Sequence, residues 1–92
     1  MAHQFSEAAH RAVVAELDNE RAATLGRTAD RLERARRDLQ RLLADPAVDR
    51  RVVRDAFDRV EERRWLLCVQ REAIGLYDHS WVDRVYPPLR PT

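Results

Sequence analysis

The first ten residues include a set of side chains that could bind a divalent metal. His3, Glu7 and His10 lie at positions i, i+4 and i+7, so a continuous helix would align them on one side. Imidazole nitrogens and a carboxylate are ordinary zinc ligands. However, the spacing lacks the His-Glu-x-x-His pattern, and the trio spans the expected start of a helix, where chains fray. We therefore expect no metal site and no cofactor.

Cys68, Asp78 and His79 are the residue types of a thiol-based catalytic set. Cys68 stands inside an apolar run, where a thiol behaves as a small hydrophobic group with a raised pKa. Asp78 is placed to cap a following helix, which occupies its carboxylate. Nothing in the sequence specifies a reaction, so we expect a protein that is not an enzyme.

Three polar residues, Gln70, Arg71 and Glu72, directly follow that apolar run. If the surrounding surface is buried, Arg71 and Glu72 need partners, because an unpaired charge in a dry setting is costly. Those partners are each other, a polar group of the first helix or a second subunit; a ligand carboxylate near Arg71 and His79 is the alternative. We expect structural pairing that fixes the register of a helical assembly.

All 17 basic residues are arginine, which excludes every mechanism that needs a lysine amine. The arginines are concentrated in residues 27–64, which hold 12 Arg and 9 acids, whereas residues 1–26 hold 2 Arg and 4 acids. An arginine-rich surface could follow the phosphates of a nucleic acid. The acids interleaved among these arginines argue against that interpretation, because they weaken the attraction for phosphate.

The elements that must position these residues are helices. Strong helix formers dominate, and the chain has only 2 Gly and 4 Pro. Apolar residues at helical spacing predict a first helix over about residues 7–43, with Ser6 as its N-cap. Leu25, Leu32 and Leu39 are seven residues apart and form a short coiled-coil seam. Gly26 interrupts this helix, and we expect another group to approach it closely.

A second helix is predicted over about residues 46–74, with Pro46 in its first turn and Asp45 as the cap. So short a connection predicts that the two helices form an antiparallel hairpin. The closed end of the hairpin is then the arginine-rich end. If the chain turns near Asp45, Leu25 lies opposite Trp65.

A turn of the chain near Asp45 would also place Val14 opposite Leu76. Gly75 is a natural residue to end the second helix in a left-handed turn. Asp78 or Ser80 can cap a short third helix over about residues 79–86, which Pro87 and Pro88 end. The predicted fold is all-α, a single domain with two long helices and a short third helix, assembling as a helical bundle.

The five residues from Trp65 to Val69 are apolar without a break. A helix that is apolar on every side must be covered on every side, and one hairpin cannot do this alone. We therefore predict that this region and the aromatic segment after it form a dimer interface. The predicted interface residues are Trp65, Leu66, Cys68, Val69, Leu76, Tyr77 and Trp81.

Two segments resemble a group of short bacterial proteins of unknown function. One is Leu25-Gly26-Arg27 with Arg31-Leu32-Glu33, and the other is Gln70-Arg71-Glu72-Ala73 with Gly75-Leu76 and Asp78. The resemblance covers residues from about 16 to 89 and departs from the pattern at Ile74, where the group has Cys. It implies no activity, but it does imply that the helix end at 70–78 is a defined feature.

These observations favour a small self-association or protein-interaction module, with a second copy or another helical partner. No stretch approaches the ~18 apolar residues of a membrane span, and we expect a cytoplasmic protein. One alternative is a small arginine-rich all-α enzyme that binds an anionic metabolite, similar to chorismate mutases in size and class but without their lysine. The other is a nucleic-acid-binding regulator that uses the closed end.

Overall fold

The computed structural model describes residues 6–89 and has three helices in them: α1 (Glu7–Leu43), α2 (Arg50–Ala73) and α3 (Ser80–Val85). The predicted all-α class is confirmed, because α1 and α2 pack as an antiparallel hairpin and the described residues contain no strand. The described part of the chain is elongated, with extents of 72 × 21 × 15 Å.

Helix α1 has 37 residues and begins at the predicted cap, where the Ser6 hydroxyl oxygen accepts a hydrogen bond from the Ala9 amide at 3.1 Å. Gly26 lies in its interior, and a Cβ added there would meet nothing within 4 Å among the described residues. The close approach that we expected at Gly26 is therefore absent.

The connection between α1 and α2 is longer than the sequence suggested. Asp45 caps a single turn by accepting the Ala47 amide at 2.9 Å. Asp49 then adopts an extended backbone conformation, with ψ of 137°, and accepts the Arg51 amide at 2.8 Å as the true N-cap of α2. Because the extended Asp49 separates this turn from the helix, α2 begins at Arg50 and not at about Pro46.

This longer loop changes which residues lie opposite one another. The Thr28 hydroxyl donates to Gln70 Oε1 at 2.6 Å, and Leu25 lines a groove together with Ala73 and Ile74. The predicted pairing of Leu25 with Trp65 is therefore wrong, and so is that of Val14 with Leu76. Residues 7–24 of α1, the N-terminal arm, extend beyond the end of α2.

The core lies where α3 crosses the hairpin. Leu32, Leu39 and Val82 are completely buried, one of them from α3. The remaining buried apolar residues are Ala35, Ala56, Val60, Leu67 and Tyr86. Because all of these lie at or beyond residue 32, the core leaves the N-terminal arm without tertiary support.

The turn that sends the chain from α2 back to α3 is a Schellman motif. Gly75 has a φ of 87°, its amide donates to Glu72 O at 3.0 Å, and the Leu76 amide donates to Arg71 O at 2.9 Å. The predicted role of Gly75 is thus confirmed. Asp78 then accepts the Ser80 amide at 2.9 Å, so Asp78 caps the short third helix.

Candidate interaction site

The apolar run at the end of α2 is divided between the inside and the outside of the molecule. Leu67 faces α1 and is buried, while Leu66 and Cys68 on its two sides are half-buried. Trp65 is 66% exposed and Val69 is 38% exposed. These last two are four residues apart, so they form one apolar stripe on the face of α2 that points away from α1.

Cys68 packs against the core beside α3. Burial is the main cause that raises the pKa of its thiol, and Arg64 opposes it, while Asp83 and Glu72 raise the pKa further. The protein does not assemble the catalytic set that its residue types suggested. The Asp78 carboxylate is bound to the Ser80 amide, and the His79 ring is bound to Glu72.

The predicted polar residues have partners within the chain. Gln70 accepts the Thr28 hydroxyl of the first helix. Arg71 and Glu72, for which partners were expected in each other, in the first helix or in a second subunit, are bound instead by residues 78–81 of the same chain. Arg71 Nη2 donates to Asp78 O at 3.2 Å, and its guanidinium lies 4.8 Å from the centre of the Trp81 ring. These contacts tie the end of α2 to the segment that leads into α3.

Glu72 and His79 form a second link across the same turn, with Glu72 Oε1 and His79 Nε2 2.7 Å apart. Arg71 Nε and His79 Nδ1 are enclosed and have no hydrogen-bond partner among residues 6–89. The hydrogen bonds of the Asp78 carboxylate with the Ser80 amide and hydroxyl lower the pKa of Asp78. The polar residues thus hold the α2–α3 turn together.

The remaining predicted interface residues lie along this turn and on α3. Tyr77 is 73% exposed, and Leu76 and Trp81 are also exposed. The Trp81 ring is held from two sides, because Arg71 lies over it and Tyr86 meets it edge to face, with centroids 6.3 Å apart. Trp81 is therefore a fixed aromatic side chain at the surface, whereas Tyr77 projects from the turn.

The N-terminal arm is a second exposed apolar surface, which the sequence interpretation missed. Val13, Val14 and Leu17 are all exposed there. The signal that could have revealed it is the predicted length of the helices, because a first helix over 7–43 is eight residues longer than a second over 46–74. A hairpin of unequal helices must leave one end uncovered.

Two open grooves lie along the hairpin. One, of about 480 Å³, is at the end of α2 between the arm and Ala73 and Ile74. The other, of about 810 Å³, is at the closed end, where Leu42, Val53 and Phe57 line it. Three arginines also line the closed-end groove: Arg50, Arg51 and Arg54. Neither groove is lined by Arg71 or His79, the pair that a ligand carboxylate would need.

Several arginines of the closed end have structural partners. Arg37 pairs with Glu33 at 3.5 Å and Arg41 with Asp38 at 3.2 Å, both on the exposed surface. Arg36 is buried and donates to Pro87 O. The alternating acids and arginines thus form pairs along the helix, as is typical of a solvated helix face.

Within residues 6–89, no group of three or more His, Cys, Asp or Glu side chains is placed to hold a metal ion. His3 lies outside the described residues. No helix in the described part of the chain is long and apolar enough to cross a membrane. Comparison with protein-family models, curated proteins and solved structures finds no significant match to this chain.

Proposed function

We propose that this protein is a helical interaction module that self-associates through the apolar surface around the end of α2. The observation that carries the proposal is the exposure of Trp65, the most exposed of the large apolar side chains on α2. Trp and Tyr are enriched at the centres of protein interfaces, where they supply much of the binding energy.

The neighbouring residues support the same proposal. Val69 extends the apolar stripe by one helical turn, and Tyr77 and Trp81 add two aromatic rings at the same end of α2. Burying such rings in an interface contributes about 25 cal/mol for each Å² of apolar area removed from water. The bound polar residues Gln70, Arg71 and Glu72 stiffen this end, so less conformational entropy is lost on association.

The test is the mass of the protein in solution, measured by light scattering after size-exclusion chromatography at micromolar concentrations. We expect the unaltered chain to self-associate and Trp65→Asp to have a smaller mass at the same concentration, because the substitution puts a charge where an aromatic ring should be buried. Since Trp65 points into solvent within one chain, the variant should keep its helical circular dichroism.

Val52→Asp is the matched control, because Val52 is an exposed apolar residue in the first turn of the same helix. That variant should keep the mass of the unaltered chain. A monomeric unaltered chain throughout the micromolar range would refute the proposal. A Trp65→Asp variant with the same mass as the unaltered chain would exclude this surface.

A further inference from the structure

The N-terminal arm carries an apolar stripe that continues the seam of the hairpin past the end of α2. Val14, Leu17, Arg21 and Leu25 recur every three or four residues, on the face of α1 that farther along packs against α2 at Leu32. Leu25 is half-buried, whereas Leu17 is 46% exposed and Val14 is 42% exposed. The seam therefore continues past the end of α2: Leu17 and the polar Arg21 line the groove beside Ala73 and Ile74, and Val14 lies beyond it.

We propose that the arm pairs antiparallel with the same arm of a second copy of this chain. The inference rests on the proposed self-association but uses a different surface from Trp65. A two-fold axis near residues 15 and 16 would set Val14 of one copy against the partner's Leu17, and Leu17 against the partner's Val14. This stripe is thus complementary to itself, as an isologous dimer interface requires.

The charges beside the stripe favour the antiparallel direction. Arg11 and Asp18 are seven residues apart, so they lie on the same flank of the stripe. Antiparallel pairing brings Arg11 near the partner's Asp18, and the two-fold axis repeats the contact. In a parallel pair the same flank of the two copies would lie on opposite sides of the seam, so Arg11 and the partner's Asp18 would not meet.

Among residues 6–89 of one chain, these charges have only weak partners. Asp18 is 4.0 Å from Arg21, with both side chains well exposed. Arg11 donates from Nε to Glu7 O at 3.4 Å, a long hydrogen bond. Both side chains are therefore available to a second copy.

The lengths of the elements fit the same arrangement. The arm has about 18 residues and a length of about 27 Å at 1.5 Å per residue. Two such arms, paired over their full length, bring the first turn of the partner's α1 to the groove beside Ala73 and Ile74. There the positive end of one helix meets the negative end of another, which is electrostatically favourable.

The first experiment is sedimentation analysis of Leu17→Asp, with Ala12→Asp as the matched control, both made in the Trp65→Asp chain so that the arm is the only proposed contact left. Ala12 is exposed on the opposite face of the arm, so its variant adds the same charge to the same helix without touching the stripe. We expect Leu17→Asp to raise the dimer dissociation constant at least about tenfold, and Ala12→Asp to leave it nearly unchanged. Because Leu17 makes no part of the core, near-ultraviolet circular dichroism should show Leu17→Asp still folded.

The second experiment tests direction by exchanging charges. Arg11→Glu alone and Asp18→Arg alone should each weaken the dimer about two- to tenfold, and the double variant should restore it, because both cross-copy pairs are re-formed with reversed sign. A double variant as weak as the single ones would overturn the antiparallel register.

The outcomes separate this inference from the proposed function. Self-association that is lost entirely in Trp65→Asp, or that Leu17→Asp leaves intact in that chain, would overturn the arm pairing and leave the proposed function standing. A monomeric unaltered chain would overturn both. Assemblies that grow with concentration and are lost in Arg54→Glu would mean that the acidic arm docks in the closed-end groove of the next copy, which also overturns the arm pairing.

Discussion

Two arginines hold the C-terminal segment in place by donating hydrogen bonds to backbone carbonyl groups that have no partner in α3. Pro87 and Pro88 end that helix, so its last carbonyl oxygens have no amide to accept from. Arg64 donates to Tyr86 O and, with its other terminal nitrogen, to Asp83 Oδ1, while Arg36 donates to Pro87 O. A planar guanidinium serves two acceptors at once, which a lysine amine on its flexible stem does less well.

The two glycines of the chain should respond in opposite ways to the same substitution. Neither has an atom within 4 Å of an added Cβ, but Gly26 is helical and Gly75 has a φ of 87°. Gly26→Ala should therefore raise the free energy of unfolding by up to about 1 kcal/mol, through better helix propensity. Gly75→Ala should lower it by about 1–2 kcal/mol, through left-handed strain. Urea denaturation of both variants checks the signs, and a stabilising Gly75→Ala would contradict the Schellman turn.

The Cys68 thiol should be unreactive in the folded protein. Because burial raises its pKa above the ordinary value of 9.0, the thiol stays protonated at neutral pH, and thiol-specific reagents should modify it more slowly than in the urea-unfolded chain. Its raised folded-state pKa also means that the thiol contributes to stability fully below about pH 9, and that this contribution is lost as pH rises above that value.

Cys68→Ala provides the control for that pH dependence. The stability of the variant should fall less at alkaline pH than that of the unaltered chain. Some fall should remain, because burial also raises the pKa of Tyr86. Equal reaction rates in the folded and unfolded chain would show that the thiol is not protected by packing.

At the scale of the elements, α3 is held by the buried Val82, by the buried Tyr86 just after its end and by the arginine contacts. It has 6 residues, too few for a stable isolated helix. Its stability must come from packing, chiefly through Val82 and Tyr86, which the hairpin encloses. The aromatic contact of Tyr86 with Trp81 then links the packing of α3 to the exposed surface of the proposed interface.

Val82→Ala should therefore destabilise the whole protein by about 2 kcal/mol, because it leaves a cavity where α3 meets both long helices. Val85→Ala is the matched control on the same helix, since Val85 is 46% exposed, and its effect should stay within about 0.5 kcal/mol. Thermal unfolding of the two variants makes the comparison. Equal effects would mean that α3 is not docked as described.

At the scale of the whole molecule, the existence of the helices and the expected stability changes of Gly26→Ala and Gly75→Ala follow from local patterns in the sequence. Ser6, Gly75 and Asp78 act where local rules place them, because capping depends on a few neighbouring residues. The residue at which α2 begins could not be predicted from local patterns. Both Asp45 and Asp49 are good caps, and only the packed hairpin decides between them.

The candidate site, too, could be predicted from the sequence only in part. The sequence indicated that Arg71 and Glu72 need partners, but not that these lie in residues 78–81, because that depends on where α3 docks. Two contacts, Gln70 with Thr28 and Arg71 with Trp81, come from the three-dimensional arrangement alone. The run from Trp65 to Val69 looked uniformly apolar, and the helix geometry separated it into the buried Leu67 and the exposed Trp65.

The separation of the N-terminal arm from the core has an evolutionary consequence. The core begins at Leu32, so substitutions in residues 7–24 change the surface of the protein at little cost to its fold. Selection can then change the proposed arm contact, while α2, α3 and the residues they bury remain constant. After a gene duplication, a few changes at Arg11, Asp18 or Leu17 would be enough to end the proposed pairing between two daughter proteins.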